Sequence, residues 1–226
     1  MTSRSSAIRA LQQFTSCDIG DALVKLKVPC GGYLSGLKMF SPGPTSPKAK
    51  IFGPAYTVRM VHANDKTAPS PKRHFVDDIP RDSVVFVSQP KGLISACWGG
   101  LMSTRAKKQG AAGVVIDGRF RDINEHQELN MGLFARGISI LGSNTFTRSS
   151  ELNVPVAYEN SEIGEEVIIN PGDYLLGDVD GMVAVPADKV EDCVRLCQER
   201  YEIDEETRLC LERGEEMGPT IKRLRK

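Results

Sequence analysis

The sequence predicts an α/β fold built on parallel strands, and two observations carry that expectation. Gly113-Val114-Val115-Ile116 is an apolar run bounded by glycines, the pattern of a strand buried on both faces. Upstream, Ser83-Val84-Val85-Phe86-Val87-Ser88 reads as a second strand, and the helix-like segment Leu93–Gln109 lies between the two. Strand, helix and strand in that order form a parallel crossover unit. A chain of 226 residues can bury a full core as one domain. We expect a single domain over 1–226, with a core over about residues 15–190 and a C-terminal helical extension over about 187–226.

The remaining elements follow in order. Pro42–Lys50, with Pro42, Pro44 and Pro47, reads as a loop, and Ile51–Val61 as a strand. Asn64–Arg81 is a second loop, long, polar and proline-bearing, of the kind that serves as a lid or a subunit contact. After the Ser83–Ser88 strand comes the turn Gln89-Pro90-Lys91-Gly92. Adjacent glycines are poor in a helix interior, so the helix proper is expected to start near Gly100 and to close at Gly110, a C′ glycine. Further strands are expected at Ile138–Leu141, Val154–Tyr158, Glu166–Ile169 and Met182–Val185. Ala187–Arg213 reads as a long charged helix with a break near Tyr201-Glu202-Ile203-Asp204. Only part of such a helix can lie on its own core, and the rest is expected to reach a neighbouring subunit.

The chemistry concentrates after the Gly113–Ile116 strand. Asp117, Arg119, Arg121, Asp122 and Glu125 crowd its C-terminal end, where α/β proteins place their sites. A guanidinium can bind a carboxylate bidentately, and a carboxylate beside it can hold a hard divalent cation. The set suits a small anionic substrate that also touches a metal. The loop read by itself is equally a solvated turn with a surface ion pair. Gly99-Gly100 opens the preceding helix, so the backbone N–H groups of Leu101 and Met102 could receive an anion. Close helix–sheet packing would use the same glycines.

Composition sets outer bounds. Twenty-nine basic and 29 acidic side chains give a formal charge of zero, and no broad basic field calls for nucleic acid. The basic tail Lys222-Arg223-Leu224-Arg225-Lys226 reads as a solvated end. No stretch has the apolar length of a membrane span, and Met1–Ala10 shows no apolar signal core, so the expected location is cytoplasmic. The six cysteines lack zinc spacing and are expected to be reduced and structural. His62, His74 and His126 are scattered, and His126 reads first as a structural histidine. We expect no lysine in the strand-end loops, which disfavours Schiff-base chemistry.

Several blocks together resemble one family, that of the regulator of ribonuclease activity A and the class II 4-hydroxy-4-methyl-2-oxoglutarate aldolases. The blocks are Asp18-Ile19-Gly20-Asp21-Ala22-Leu23, Gly53-Pro54-Ala55-Tyr56-Thr57-Val58, Trp98-Gly99-Gly100, Gly113–Asp122 and Gly177-Asp178-Val179-Asp180-Gly181-Met182. The resemblance implies an α/β/β sandwich of the RraA-like, phosphohistidine-swivelling-domain-like type, with a long C-terminal helix packing on a neighbouring subunit. It also implies a pyruvate-forming lyase that uses Mg2+ or Mn2+, acting as an aldolase or an oxaloacetate decarboxylase through a pyruvate enolate. In that scheme Asp122 holds the metal and Arg121 binds the keto-acid end of the substrate. Gly99 and Gly100 open the cradle in which Leu101 and Met102 bind the carboxylate, and Glu125 stands near the metal's waters. The family forms trimers, sometimes hexamers, and a glutamate from a neighbour's C-terminal helix completes the site. Glu205 is the candidate, with Glu202 close behind. One position departs from the pattern: Gly100 stands where an acidic residue is common. A non-catalytic binding protein on the same scaffold, like the ribonuclease regulators, is the other reading the resemblance allows.

Overall fold

The computed structural model describes residues 4–43, 45–46, 49–160 and 164–225. In chain order the helices and strands are α1 (Arg4–Leu11), α2 (Ser16–Lys25), β1 (Lys38–Ser41), β2 (Ile51–His62), β3 (Val84–Ser88), α3 (Gly100–Gln109), β4 (Gly113–Phe120), α4 (Ile123–Glu128), β5 (Leu133–Ile138), β6 (Thr147–Leu152), β7 (Val156–Asn160), β8 (Glu165–Ile169), β9 (Tyr174–Gly177), β10 (Met182–Val185), α5 (Val190–Glu212) and α6 (Met217–Leu224). The main sheet has the order β1-β5-β4-β3-β2-β9-β10, and β6 pairs with β2 outside that path. β2, β3, β4 and β5 are parallel neighbours, while β1, β6, β9 and β10 join antiparallel. β2 is long enough, at 12 residues, to pair with β9 at its start, β3 in its middle and β6 at its end.

Alternation along β3 and β4 sorts the core into two layers. Val85, Val87, Val114 and Ile116 face Trp98, Phe75 and Phe120 beneath α3 and α4. Val84, Phe86 and Val115 face the other way, onto Tyr158, Val167 and Ile169 of the β7–β8 hairpin. Both faces of these strands are covered, which is why they read as continuous apolar runs. A third cluster joins α1, α2 and α5 over β9 and β10 through Leu11, Ile19, Leu23, Leu176 and Val185. Helices, sheet and hairpin thus stack as the α/β/β sandwich that the sequence predicts.

Local chemistry sets the boundaries. Thr15 opens α2 with a reciprocal capping box: its Oγ1 accepts from the Asp18 N–H at 3.2 Å, and its own N–H donates to Asp18 Oδ2 at 2.9 Å. α3 starts at Gly100 and closes at Gly110, whose φ of 87° is the left-handed cap that glycine adopts without strain.

The structure corrects several expectations. The fifth strand is Leu133–Ile138, not Ile138–Leu141, because the buried pattern lies in Leu133, Phe134 and Ala135 while Ile140 is exposed. The strand expected at Val154–Tyr158 starts after Pro155 and runs to Asn160. α5 is continuous through Tyr201–Asp204, where Gln198–Glu202 and Arg200–Asp204 side-chain pairs at i,i+4 span the expected break. The 64–81 segment is no free lid: Phe75, Val76 and Ile79 are buried in the core beside Trp98. The basic side chains Lys222, Arg223 and Arg225 are exposed, as a solvated end requires, but they belong to a helical segment: α6 packs on α5, buries Thr220 and pairs Arg223 with Glu215, and Arg225 pairs with Asp204. Pro44, Pro47, Lys226 and Met1 to Ser3 lie outside the described residues. No helix among the described residues is long and apolar enough to cross a membrane.

Candidate active site

β4 delivers the charged loop, and a turn with unusual backbone geometry aims it. Asp122 adopts φ 65° and ψ 46°, a left-handed conformation that costs a non-glycine residue about 1–3 kcal/mol. Three hydrogen bonds over-determine that turn. The Arg121 N–H donates to Trp98 O at 3.1 Å, and the Glu125 N–H donates to Asp122 O at 3.1 Å. His126 is fully buried, and its Nε2 lies 2.7 Å from Arg121 O. Because that carbonyl can only accept, Nε2 carries the proton and Nδ1 accepts from the Ser103 hydroxyl at 2.8 Å. Ser103 in turn accepts from Trp98 Nε1 at 2.8 Å. Burial holds the His126 pKa below its ordinary value, so the imidazole stays neutral in this relay. The histidine is therefore a clamp that ties the Arg121–Asp122 turn to α3.

The turn faces the start of α3 across a cavity of about 280 Å³ lined by Gly99, Gly100, Leu101, Met102, Arg121 and Asp122. Asp122 Oδ2 accepts the Gly100 N–H at 3.0 Å and lies 3.5 Å from Arg121 Nε. Both side chains keep partial exposure, 46% for Arg121 and 34% for Asp122, so a ligand can reach them. Glycine makes the approach possible. A methyl group at Gly99 would lie 2.8 Å from Asp122 Oδ2, and one at Gly142 would lie 3.0 Å from Arg121 Nη1. The Leu101 N–H has no hydrogen-bond partner among the described residues, whereas the Met102 N–H donates to Gly99 O at 3.1 Å. Of the two amides expected to receive an anion, Leu101 is free to do so and Met102 is not.

Glu125 occupies the place left by the missing side chain at Gly100. A methyl there would sit 1.7 Å from Glu125 Oε2. The glutamate thus brings a carboxylate to the start of α3 from the opposite side of the groove, where the helix dipole favours negative charge.

The structure places the other expected residues differently. Glu205 pairs with Arg208 on α5 and does not line the cavity of its own chain. Glu202 hydrogen-bonds Gln198 and lines a different hollow against α1. Asp117 is buried on the opposite face of β4, ion-paired with Lys91 and Arg136. Lys91 therefore stands at the end of β3, contrary to the expectation of lysine-free strand ends, and its ammonium lies on the Asp117 side of the sheet, away from the Arg121–Asp122 cavity.

His74 and Cys97 also line the cavity, and neither is among the expected site residues. His74 comes from the 64–81 segment, stacks on Phe75 at 4.9 Å and accepts the Val76 N–H on Nδ1 at 3.3 Å. That bond leaves Nε2 as the protonated nitrogen. Nothing in a long polar loop marks one histidine as site-lining. Cys97 lines the same cavity, and burial pushes its thiol up to about 12, so it stays protonated and unreactive.

Asp122 and Glu125 are the side chains here that could hold a hard cation, weakly chelated. Asp122 Oδ1 carries no protein hydrogen bond among the described residues and Glu125 stands nearby, yet no three His, Cys, Asp or Glu side chains there form a closed cage. Magnesium suits such a donor set because it retains several waters and takes one or two carboxylates.

Comparison with known proteins agrees with this architecture. A family profile described as RraA-like, Aldolase/RraA, matches residues 16–184. Protein DlpA of Legionella pneumophila is 30% identical over 201 residues, which cover 84% of this chain but only 30% of DlpA. A putative 4-hydroxy-4-methyl-2-oxoglutarate aldolase of Halalkalibacterium halodurans is 28% identical over 162 residues, 72% of each chain. Among solved structures, Streptomyces coelicolor RraAS2, described as an unusual member of the RNase ES inhibitor RraA protein family, aligns with a TM-score of 0.74 at 27% identity, covering 90% of this chain and 96% of its own. An uncharacterized protein of Pseudomonas syringae pv. tomato shares the fold with a TM-score of 0.79 at 24% identity, covering 96% of both chains. The chain belongs to the RraA-like family.

Proposed function

We propose that this protein is a divalent-metal-dependent carbon–carbon lyase that cleaves or decarboxylates small keto acids through a pyruvate enolate. 4-Hydroxy-4-methyl-2-oxoglutarate and oxaloacetate are the substrates to test. The observation that carries the proposal is the Arg121–Asp122 pair, held in a strained turn over the start of α3 inside one cavity. A relative in Thermus thermophilus named as a 4-hydroxy-4-methyl-2-oxoglutarate aldolase, and one in Halalkalibacterium halodurans named as a putative one, support it.

Asp122, with Glu125 beside it, would hold Mg2+ or Mn2+. The cation would supply Lewis-acid neutralisation of charge developing on the keto-acid oxygen. The protein's own groups do the rest. Arg121 binds the keto-acid end through its guanidinium fork, held in place over Gly99 and Gly142. The Leu101 N–H and the α3 dipole favour the substrate carboxylate. His74, with Nε2–H available in the cavity, donates to a substrate oxygen. Glu125 would hold a water and move a proton at the leaving oxygen. Preorganised donors of this kind act most strongly where charge develops.

Leu101 lines the cavity, and it lies exposed together with Ile138, Ile140 and Leu141. We propose that a homotrimer, or a hexamer of two trimers, covers this rim and that Glu205 of α5 reaches a neighbour's site. A second reading has its own support. Asp122 Oδ2 already accepts the Gly100 N–H at the start of α3, and the matched RraAS2 structure is described within an RNase inhibitor family, so a non-catalytic binding role on this scaffold is the alternative. Pyruvate release separates the two. The lyase reading expects metal-dependent turnover of at least one of the two keto acids; no release from either, with Mg2+ or Mn2+ supplied, favours the binding protein.

A further inference from the structure

β4 carries charge to both faces of the sheet. Arg121 and Asp122 serve the face that holds α3, whereas Asp117 points to the face that holds the β7–β8 hairpin, where Arg136 stacks on Tyr158 at 4.4 Å. Here, at the C-terminal ends of β3, β4 and β5, lies a second hollow of about 240 Å³. Asp117 forms its buried floor, with its side chain 1% exposed. Lys91 Nζ sits 3.2 and 3.3 Å from its two carboxylate oxygens, and Arg136 Nε donates to Oδ1. Arg119 adds a third cation at the rim, steadied by one bond from Nη1 to Ile138 O at 2.9 Å.

Three cations share this hollow with a single carboxylate. Neutralising Asp117 requires only one of them, and Arg136 supplies that, with a further bond from Nη2 to Glu159 O at 2.8 Å. Lys91 and Arg119 remain as surplus positive charge, and Lys91 is 52% exposed. The wall behind them is rigid: Gln89 is buried, donates to Ser95 O at 2.9 Å and accepts the Arg119 N–H at 2.9 Å. Gly118 permits that wall, since a methyl there would lie 2.2 Å from Gln89 Oε1. A fixed concavity with net positive charge at the C-terminal ends of parallel strands is the setting in which α/β proteins bind anions.

We propose that this hollow is a second binding site, distinct from the Arg121–Asp122 cavity, for a small dianion bearing either a phosphate or two carboxylates. Lys91 and Arg119 contact the ligand directly. Asp117 and Arg136 are positioning residues that hold the lysine and the floor.

The test is a titration of the full chain, labelled with 15N, with inorganic phosphate and separately with malonate, against sodium chloride at matched ionic strength. Wild-type protein should show saturable shifts at the amides of Lys91, Gly92 and Gly118. The Lys91→Ala/Arg119→Ala variant, which retains the Asp117–Arg136 pair, should bind at least tenfold more weakly. Arg121→Ala should leave these shifts unchanged. Tighter phosphate assigns a phosphate ester, and tighter malonate a dicarboxylate. Shifts that follow chloride equally, shifts confined to Gly99–Met102 and Asp122, or unaltered affinity in a folded double variant would each overturn the proposal.

Discussion

Glu125 and Gly100 share one space: the carboxylate of the first fills the volume that a side chain on the second would need, 1.7 Å from an added methyl. Gly100 takes no positive φ, so the constraint there is contact and not backbone strain. Gly100→Ala should push Glu125 aside at some cost in stability, because the closest atoms end a flexible side chain while its Cβ, 3.0 Å away, must also give a little. Lyase activity should fall severalfold, about as far as in Glu125→Ala. Gly100→Asp should do no better, since it sets two carboxylates against each other. A gain in aldol cleavage by Gly100→Asp would show that Glu125 does not stand in for that group.

The neutral, buried state of His126 predicts a pH signature. Its folded pKa lies below the ordinary 6.5, so between the two values the unfolded chain binds more protons than the folded one. Stability therefore rises with pH across that window, and it is lost as pH falls from about 6.5 toward the folded value. Denaturant melts from pH 7.5 to 5 should show this slope in the wild type and a shallower one in His126→Gln. Equal slopes would mean that His126 is not the titrating group.

Arg121→Lys preserves charge but loses the planar fork. The expected result is a fall of at least tenfold in kcat/KM for keto acids, with normal folding, since the Arg121 side chain is 46% exposed. Wild-type kinetics in this variant would make Arg121 structural.

Glu205 lies away from the cavity of its own chain, so any part it plays is in trans. Glu205→Ala should lower activity while leaving binding of Mn2+ nearly intact. Mixing it with Asp122→Ala protein under conditions of subunit exchange should restore some turnover. The protein should sediment as a trimer or a multiple of three. A fully active monomer would contradict the shared site.

Much of the site was readable from its residues because it is local in sequence. Arg121, Asp122 and Glu125 share one loop after one strand, and the glycine pair opens the facing helix. What the sequence hid depends on long-range pairing. β1 and β6 are short strands whose partners lie far along the chain, and their residues, such as Lys38-Met39-Phe40-Ser41, show no strong alternation. The strand misplaced at Ile138–Leu141 followed the apolar residues that prove to be exposed. His74 entered the cavity because Phe75 and Val76 anchor a segment that composition marks as a loop. The Gly100–Glu125 exchange is invisible without coordinates, since it pairs a missing side chain with a present one 25 positions on.

The central claim is that Asp122 organises a metal-dependent keto-acid site, and pyruvate release from oxaloacetate measures it most directly. Chelation with EDTA should abolish release by the wild-type protein, and Mg2+ or Mn2+ should restore it. Asp122→Asn, folded as shown by its unfolding transition, should lie at least 100-fold below the wild type in saturating metal. Full turnover in excess chelator, or a fully active Asp122→Asn enzyme, would contradict the account.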